Sequence, residues 1–122
     1  MAGLINGSAL STRITGISVL KNNFELVAQV NSLTRKPCCA YEIIHDYHFG
    51  GYAKHKPELI HFMNDLYRQT LIPSDFVYTG KLFYAIHDLV AKDHFPPESK
   101  ILLIHSGGLQ GNDSLGKGTL IF

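Results

Sequence analysis

Apolar and amphipathic stretches alternate along the first part of the chain. Residues 14–20 are mostly apolar and β-branched, which predicts a short buried strand. Asn22 and Glu25 stand three residues apart, as in a variant of the capping box, and apolar residues then recur at helical spacing. The pattern therefore predicts a helix that starts near Asn22 and continues to about Thr34.

The middle of the chain contains one ambiguous segment and one clear helix. Residues 40–47 have a period of two but mixed polarity, which predicts an irregular strand or a loop that approaches a site. Gly50 and Gly51 predict a turn or a close backbone approach. Pro57 suits a first helical position, and one apolar stripe follows it: Leu59, Ile60, Met63, Leu66 and Tyr67.

A third helix and a final strand complete the predicted elements. The helix begins near Thr79 and Gly80 and stops before Pro96. Its inward-facing residues are expected to be Leu82, Phe83, Ile86, Leu89 and Val90. Residues 101–105 form a continuous apolar run, which is typical of a strand covered on both faces.

Strands that alternate with helices predict an α/β fold. The expected architecture is an open, mostly parallel sheet with flanking helices, in a single domain over residues 1–122. In such sheets ligands bind beyond the carboxyl ends of the strands. The turn formed by Ser106, Gly107 and Gly108 follows the last predicted strand and would lie at such an end.

Composition narrows the functional classes. The 122 residues are 45% hydrophobic and 17% charged, with a formal net charge of +1. Acids and bases are interspersed, so nothing favours nucleic acid or an anionic membrane as a partner. The chain has no apolar run of the roughly 20 residues that a membrane helix needs. Cys38 and Cys39 are adjacent and poorly placed for a disulfide, which favours a reducing, cytoplasmic setting.

Two short segments resemble a known family. Residues 77–81 read Val-Tyr-Thr-Gly-Lys, and residues 103–108 read Leu-Ile-His-Ser-Gly-Gly. Both resemble motifs of the 1-aminocyclopropane-1-carboxylate deaminase and D-cysteine desulfhydrase family, and residues 46–54 resemble its glycine-rich approach to the substrate. The resemblance spans about residues 2–112. It implies an enzyme dependent on pyridoxal 5'-phosphate (PLP), of fold type II like the tryptophan synthase β-subunit.

The resemblance also implies roles for individual residues. Tyr78 would lie beside a small amino-acid substrate as a proton donor or acceptor. Ser106 would bond the pyridine nitrogen of PLP, and Thr79 and Gly107 would lie on the cofactor side. Thr79 also indicates the desulfhydrase-like branch, because deaminases proper tend to have Glu after the tyrosine.

Other family features have no counterpart in the chain. Nothing resembles the lysine that forms the Schiff base, the segment that binds the substrate carboxylate, or the glycine loop that holds the phosphate. The chain is therefore expected to be the C-terminal portion of a larger PLP enzyme, and to be inactive alone.

Several residues also have ordinary structural interpretations. Lys81 is expected to be a solvated lysine on the first turn of a helix, not the reactive amine. His45, His48 and His55 fit no metal-ligand spacing, so no metal site is predicted. Ser106, Gly107 and Gly108 by themselves would suit a phosphate-ligand binder. The alternative from a different class is a non-catalytic α/β interaction domain that forms a homodimer through exposed helix faces.

Overall fold

A parallel pair of strands joined by a helix forms the N-terminal part of the fold. The computed structural model describes all residues from Met1 to Phe122. After a short helix, α1 (Ala2–Gly7), come β1 (Arg13–Ile17), α2 (Leu26–Ser32) and β2 (Ala40–Ile44). The two strands are parallel, with Arg13 opposite Ala40 and Ile17 opposite Ile44. Parallel neighbours need a crossover connection, and α2 lies within it.

The sheet confirms one expectation and refines another. The predicted strand over residues 14–20 is present but ends at Ile17. The segment predicted as an irregular strand or loop contains a regular strand, β2, in register with β1. Thr15 and Glu42 face each other across the pair, and the threonine hydroxyl donates to the Glu42 carboxylate at 2.9 Å. This cross-strand pairing accounts for the polar residues in a segment of mixed polarity.

The start of α2 differs from the prediction. Asn22 has a φ of +59°, in the left-handed region, and Glu25 occupies the cap position without a side-chain hydrogen bond. The expected capping box is therefore wrong. The left-handed residue redirects the chain after β1, and the helix then begins at Leu26.

The core lies where two longer helices pack together. These are α3 (Pro57–Thr70), with its proline in the first turn as predicted, and α4 (Thr79–Ala91). The buried core cluster consists of Phe49, Leu59, Met63, Phe76 and Val77. Val90 was expected to face inward, but it is about half exposed. Leu89 is buried as predicted, and Ala85, which the prediction left out, is buried as well.

The final predicted strand is absent. Residues 101–105 belong to no strand, because the sheet contains only β1 and β2. Their side chains are not covered on both faces: Leu102 is 86% exposed, and Ile101 and Ile104 are also exposed. An apolar run becomes a strand only when a neighbour pairs with its backbone, and neither strand does so here. A short 3-10 helix, Leu109–Ser114, follows the turn after this segment.

Two further observations concern the cysteines and the length of the helices. Both cysteines are free thiols. None of the helices combines the length and the apolar character required to cross a bilayer.

Candidate functional site

The carboxylate of Asp75 organises the turn between α3 and α4. Its Oδ1 accepts hydrogen bonds from the backbone N–H groups of Val77 (2.9 Å) and Tyr78 (2.8 Å). Its Oδ2 accepts from the Thr79 N–H at 2.9 Å and from the Thr79 hydroxyl at 2.6 Å. The Thr79 oxygen in turn accepts from the Asp75 N–H at 2.8 Å. The turn therefore satisfies N–H groups that would otherwise be orphaned at the start of α4.

Gly80 permits a close approach between this turn and α3. A Cβ at that position would lie 2.7 Å from the Met63 sulfur and 2.8 Å from the Asp75 carbonyl oxygen. The Gly80 N–H donates to that same oxygen at 2.7 Å. The Thr-Gly pair of the motif therefore has a structural reason: the hydroxyl fastens the carboxylate, and the missing Cβ lets the helix start against the core.

Lys81 is not the solvated lysine expected from the sequence. The residue is fully buried, and its Nζ donates to the carbonyl oxygens of His48 at 2.9 Å and Gly51 at 2.8 Å. Burial lowers the pKa of Lys81 to about 8, and the charge of Asp75 opposes that shift. Helical periodicity could not reveal this, because the loop that covers Lys81 lies about thirty residues earlier in the chain.

Tyr78 lies at the start of α4 with its ring directed to the surface. The residue is 47% exposed, and its ring centroid is 6.0 Å from that of Tyr52, at an interplanar angle of 65°. The pKa of Tyr78 is raised, mainly by the neighbouring Tyr52 side chain and to a smaller extent by desolvation. At neutral pH the Tyr78 side chain is therefore a protonated phenol that can donate a hydrogen bond.

The second motif folds over the same turn. Ser106 is exposed, and Gly107 and Gly108 both have positive φ, +81° and +98°. A Cβ on Gly108 would lie 3.3 Å from Asp75 Oδ2, which shows how closely this backbone passes the buried carboxylate. The imidazole of His105 is 2.8 Å from the Pro73 carbonyl oxygen, which ties the beginning of the segment to the turn before α4.

Asn112 fastens the two segments together. Its Oδ1 accepts from the Phe76 N–H at 3.0 Å, and its Nδ2 donates to the Ser74 carbonyl oxygen at 3.0 Å. Both segments singled out in the sequence therefore meet around Asp75, about thirty residues apart in the chain. Sequence reasoning missed Asp75, Asn112 and Tyr52. An acidic residue just before a predicted helix is a capping signal that could have identified Asp75.

The predicted cofactor-side residues differ in exposure. Thr79 is buried and its hydroxyl is engaged with Asp75 in both directions, so its contact with a cofactor stays a prediction. Ser106 presents its side chain to the surface, and Gly107 is partly covered. Tyr78 and Ser106 likewise remain predicted site residues.

Two clefts lie away from this turn. One, of about 430 Å³, is lined mainly by polar residues that include Tyr47, Asp88 and Lys92. The Tyr47 hydroxyl donates to Asp88 at 2.7 Å, and desolvation together with that carboxylate raises the pKa of Tyr47 to about 12. The other, of about 330 Å³, lies between the 3-10 helix and the C-terminal residues. Neither cleft is lined by Tyr78, Thr79 or Ser106.

The histidines and acids do not converge on a metal site. No group of three His, Cys, Asp or Glu side chains is placed to hold an ion. His48 Nδ1 accepts a hydrogen bond from the Gly50 N–H at 2.9 Å, and the ring of His55 packs on Phe76 at 5.4 Å. These two rings therefore have structural contacts of their own.

The sequence of this small α/β chain is similar to those of three curated proteins that share one name. Three curated proteins carry the name "Putative 1-aminocyclopropane-1-carboxylate deaminase". The one from Pyrococcus furiosus is 32% identical over an alignment of 133 positions, gaps included, which covers 100% of this chain and 40% of that protein. The one from Pyrococcus abyssi is 32% identical over 121 residues, 90% of this chain and 36% of that protein.

The third relative matches a shorter part of the chain. The Pyrococcus horikoshii protein is 38% identical over 73 residues, which cover 60% of this chain and 22% of that protein. The resemblance inferred from the two motifs is thereby confirmed, and the chain spans two fifths or less of the length of these relatives. No family model matches the chain. No solved structure matches it either, so the expected fold type II architecture has no structural neighbour in support.

Proposed function

We propose that this chain contributes one side of a PLP site in an enzyme that deaminates a small amino acid of the 1-aminocyclopropane-1-carboxylate or D-cysteine type. One observation carries the proposal: the Tyr78 turn and the Ser106 turn, far apart in sequence, converge on the buried carboxylate of Asp75. The similarity to three proteins named as deaminases supports the same chemistry.

The residues fit one edge of PLP. The exposed Ser106 hydroxyl can donate to an unprotonated pyridine nitrogen, and a Cβ at Gly107 would meet nothing within 4 Å, which leaves room for a flat ring to approach the backbone there. When bound, PLP supplies the electron sink that stabilises a carbanion next to the amino group. A hydroxyl partner leaves the ring nitrogen unprotonated, whereas a carboxylate would hold a proton there.

Tyr78 would handle protons on the substrate side. A tyrosine phenol is protonated at neutral pH, so Tyr78 can donate to a developing negative charge and recover the proton afterwards. Thr79 and Gly107 would complete the cofactor side. Thr79 would act on the cofactor side chiefly through Asp75, because its hydroxyl donates a hydrogen bond of 2.6 Å to Asp75 Oδ2.

Cofactor contact can be tested without covalent chemistry. Pyridoxine 5'-phosphate keeps the ring and the phosphate of PLP but has no aldehyde to react with surface lysines. Titration into the isotope-labelled chain is expected to shift the backbone NMR signals of Ser106, Gly107 and Gly108. Ser106→Ala should weaken binding about fivefold, as expected for the loss of one neutral hydrogen bond. Ser11→Ala, at another exposed serine in a turn, is the matched control.

Either of two results would contradict the proposal. One is a set of shifts confined to the 430 Å³ cleft around Tyr47. The other is equal affinity of the Ser106 and Ser11 variants.

Activity is a separate question. The resemblance assigns no lysine of this chain to the PLP aldehyde, and the amine of Lys81 is buried against two carbonyl oxygens. The chain with added PLP and D-cysteine is therefore expected to release no pyruvate. Formation of pyruvate above that seen with free PLP would show that the chain is active alone.

One observation favours a second candidate function. Ile101, Leu102 and Ile104 form an exposed apolar segment whose backbone pairs with no strand. Such surfaces mark partners, so the chain would act as an α/β interaction domain and form a homodimer. Light scattering distinguishes this candidate, because a monodisperse monomer at high concentration would count against it.

A further inference from the structure

The ammonium group of Lys81 joins two backbone segments that carry aromatic side chains. On one side is the start of α4, where Tyr78 precedes Lys81 by three residues. On the other is the loop of residues 48–51, whose carbonyl oxygens at His48 and Gly51 lie 2.9 and 2.8 Å from Nζ. Nζ therefore bridges elements that are not neighbours in the chain.

The loop has a shape that turns both carbonyl oxygens toward one point. Gly50 and Gly51 have φ values of +104° and +124°, which are available to glycine. The Gly51 N–H donates to the His48 carbonyl oxygen at 3.0 Å, which closes a tight turn. With two carbonyl oxygens directed at the same donor, the turn matches the geometry of a lysine ammonium.

Tyr52 follows Gly51 directly and reaches the Tyr78 ring. The centroids are 6.0 Å apart, in an edge-to-face arrangement. Both tyrosines are about half exposed, so the surrounding core contacts only part of each ring. The two backbone segments that carry these rings are the ones that Lys81 links.

The burial of Lys81 is costly for a purely structural residue. Desolvation lowers the pKa of its amine to about 8, which reflects the penalty on the charged form. The charge of the Asp75 carboxylate opposes this shift. An apolar side chain would fill the same space without that penalty. The lysine fills the space and also donates to two converging carbonyl oxygens, each of which already accepts one backbone hydrogen bond.

We propose that Lys81 is a positioning residue for Tyr78: by holding the 48–51 loop against the start of α4, it places the Tyr52 phenol beside the Tyr78 phenol. The significance for catalysis rests on the proposed function, in which Tyr78 handles the substrate proton. The positioning itself is independent of cofactor and substrate, so it is tested in their absence.

The test compares the ring contact in three forms of the full chain. Two-dimensional NMR on the tyrosine-labelled protein measures the nuclear Overhauser effect (NOE) between the Tyr52 and Tyr78 rings. Lys81→Met keeps the length of the side chain and removes the donors. It is expected to lower the population with the rings in contact by at least about tenfold, because two charge-assisted hydrogen bonds are lost. Lys54→Met removes an exposed lysine of the neighbouring turn and should leave the contact unchanged.

A distant ring pair reports whether the fold survives. Tyr67 and Phe122 pack with centroids 4.6 Å apart, away from Lys81. Loss of the Tyr52–Tyr78 NOE with the Tyr67–Phe122 NOE retained supports positioning. Retention of both in Lys81→Met overturns the proposal. It leaves the proposed function standing, because cofactor binding at Ser106 is measured separately.

If Lys81→Met does not fold, the proposal is tested by measurements on the wild-type chain. Its Lys81 amine should show slow proton exchange and cross-hydrogen-bond couplings to the His48 and Gly51 carbonyl carbons, together with the Tyr52–Tyr78 NOE. Both signals together support the proposal, and absence of either one overturns it.

Discussion

Asp75 is the residue on which both motif segments depend, and its removal should be costly. The side chain is fully buried and accepts four hydrogen bonds, two at each oxygen. Asp75→Asn retains Oδ1 but replaces Oδ2 with an amide donor that faces the Thr79 N–H and hydroxyl. Two charge-assisted hydrogen bonds are lost, and the buried N–H and hydroxyl of Thr79 both lose their acceptor. The expected loss of unfolding free energy is about 2–4 kcal/mol.

Asp75→Ala should cost more, about 3–5 kcal/mol, because the two N–H groups at Oδ1 also lose their acceptor. Typical small domains have only 5–15 kcal/mol in total. In this chain 16 of 122 residues are buried, which leaves little reserve. The alanine variant is therefore expected to lose a large part of the chain's stability.

Urea denaturation followed by circular dichroism measures both effects. Asp113→Asn is the matched control, because Asp113 is an exposed acid in the neighbouring 3-10 helix. The midpoint should fall for Asp75→Asn and stay unchanged for Asp113→Asn, with equal slopes. The reasoning would be refuted if the two asparagine variants agreed to within about 0.5 kcal/mol, the usual scatter of surface substitutions.

Three further outcomes are expected. Gly80→Ala should destabilise the chain by about 1–3 kcal/mol in urea denaturation, because the new Cβ meets a buried sulfur at 2.7 Å; Gly3→Ala, in open space on α1, should stabilise slightly. For Lys81 the folded pKa of about 8 lies below the usual 10.5, so the burial penalty is fully present below pH 8. It is relieved as pH rises toward 10.5, and the stability of wild type relative to Lys81→Met should rise there by at most about 3 kcal/mol in urea titrations. Tyr47→Phe should remove one phenol that titrates near pH 12 in ultraviolet absorbance, and cost about 1 kcal/mol through the lost bond to Asp88.

The elements that the sequence predicted well are those with strong local signals. The helices that begin at Pro57 and Thr79 were predicted because each contains an apolar stripe and is bounded by helix-breaking residues. The first strand was predicted from β-branched residues. The capping box at Asn22 failed because a left-handed backbone at that residue took precedence over the spacing of side chains.

The candidate site was only partly predictable for the same kind of reason. Tyr78 and Ser106 were identified through motifs, but no local pattern links Ser106 to Asp75 or Tyr52 to Tyr78. Those contacts depend on where loops fold back, and loop paths are set by long-range hydrogen bonds such as those of Asn112.

The sequence alone determined the two longer helices, the two motif segments and the resemblance to deaminase-like proteins. Each of these follows from residue type and spacing, which act over a few positions along the chain. The tertiary structure alone decided that Lys81 is buried and that residues 101–105, with Ile101, Leu102 and Ile104 exposed, pair with no strand. Both depend on partners distant in sequence: a loop supplied the acceptors for the lysine, whereas no neighbouring strand was present to pair with the apolar run.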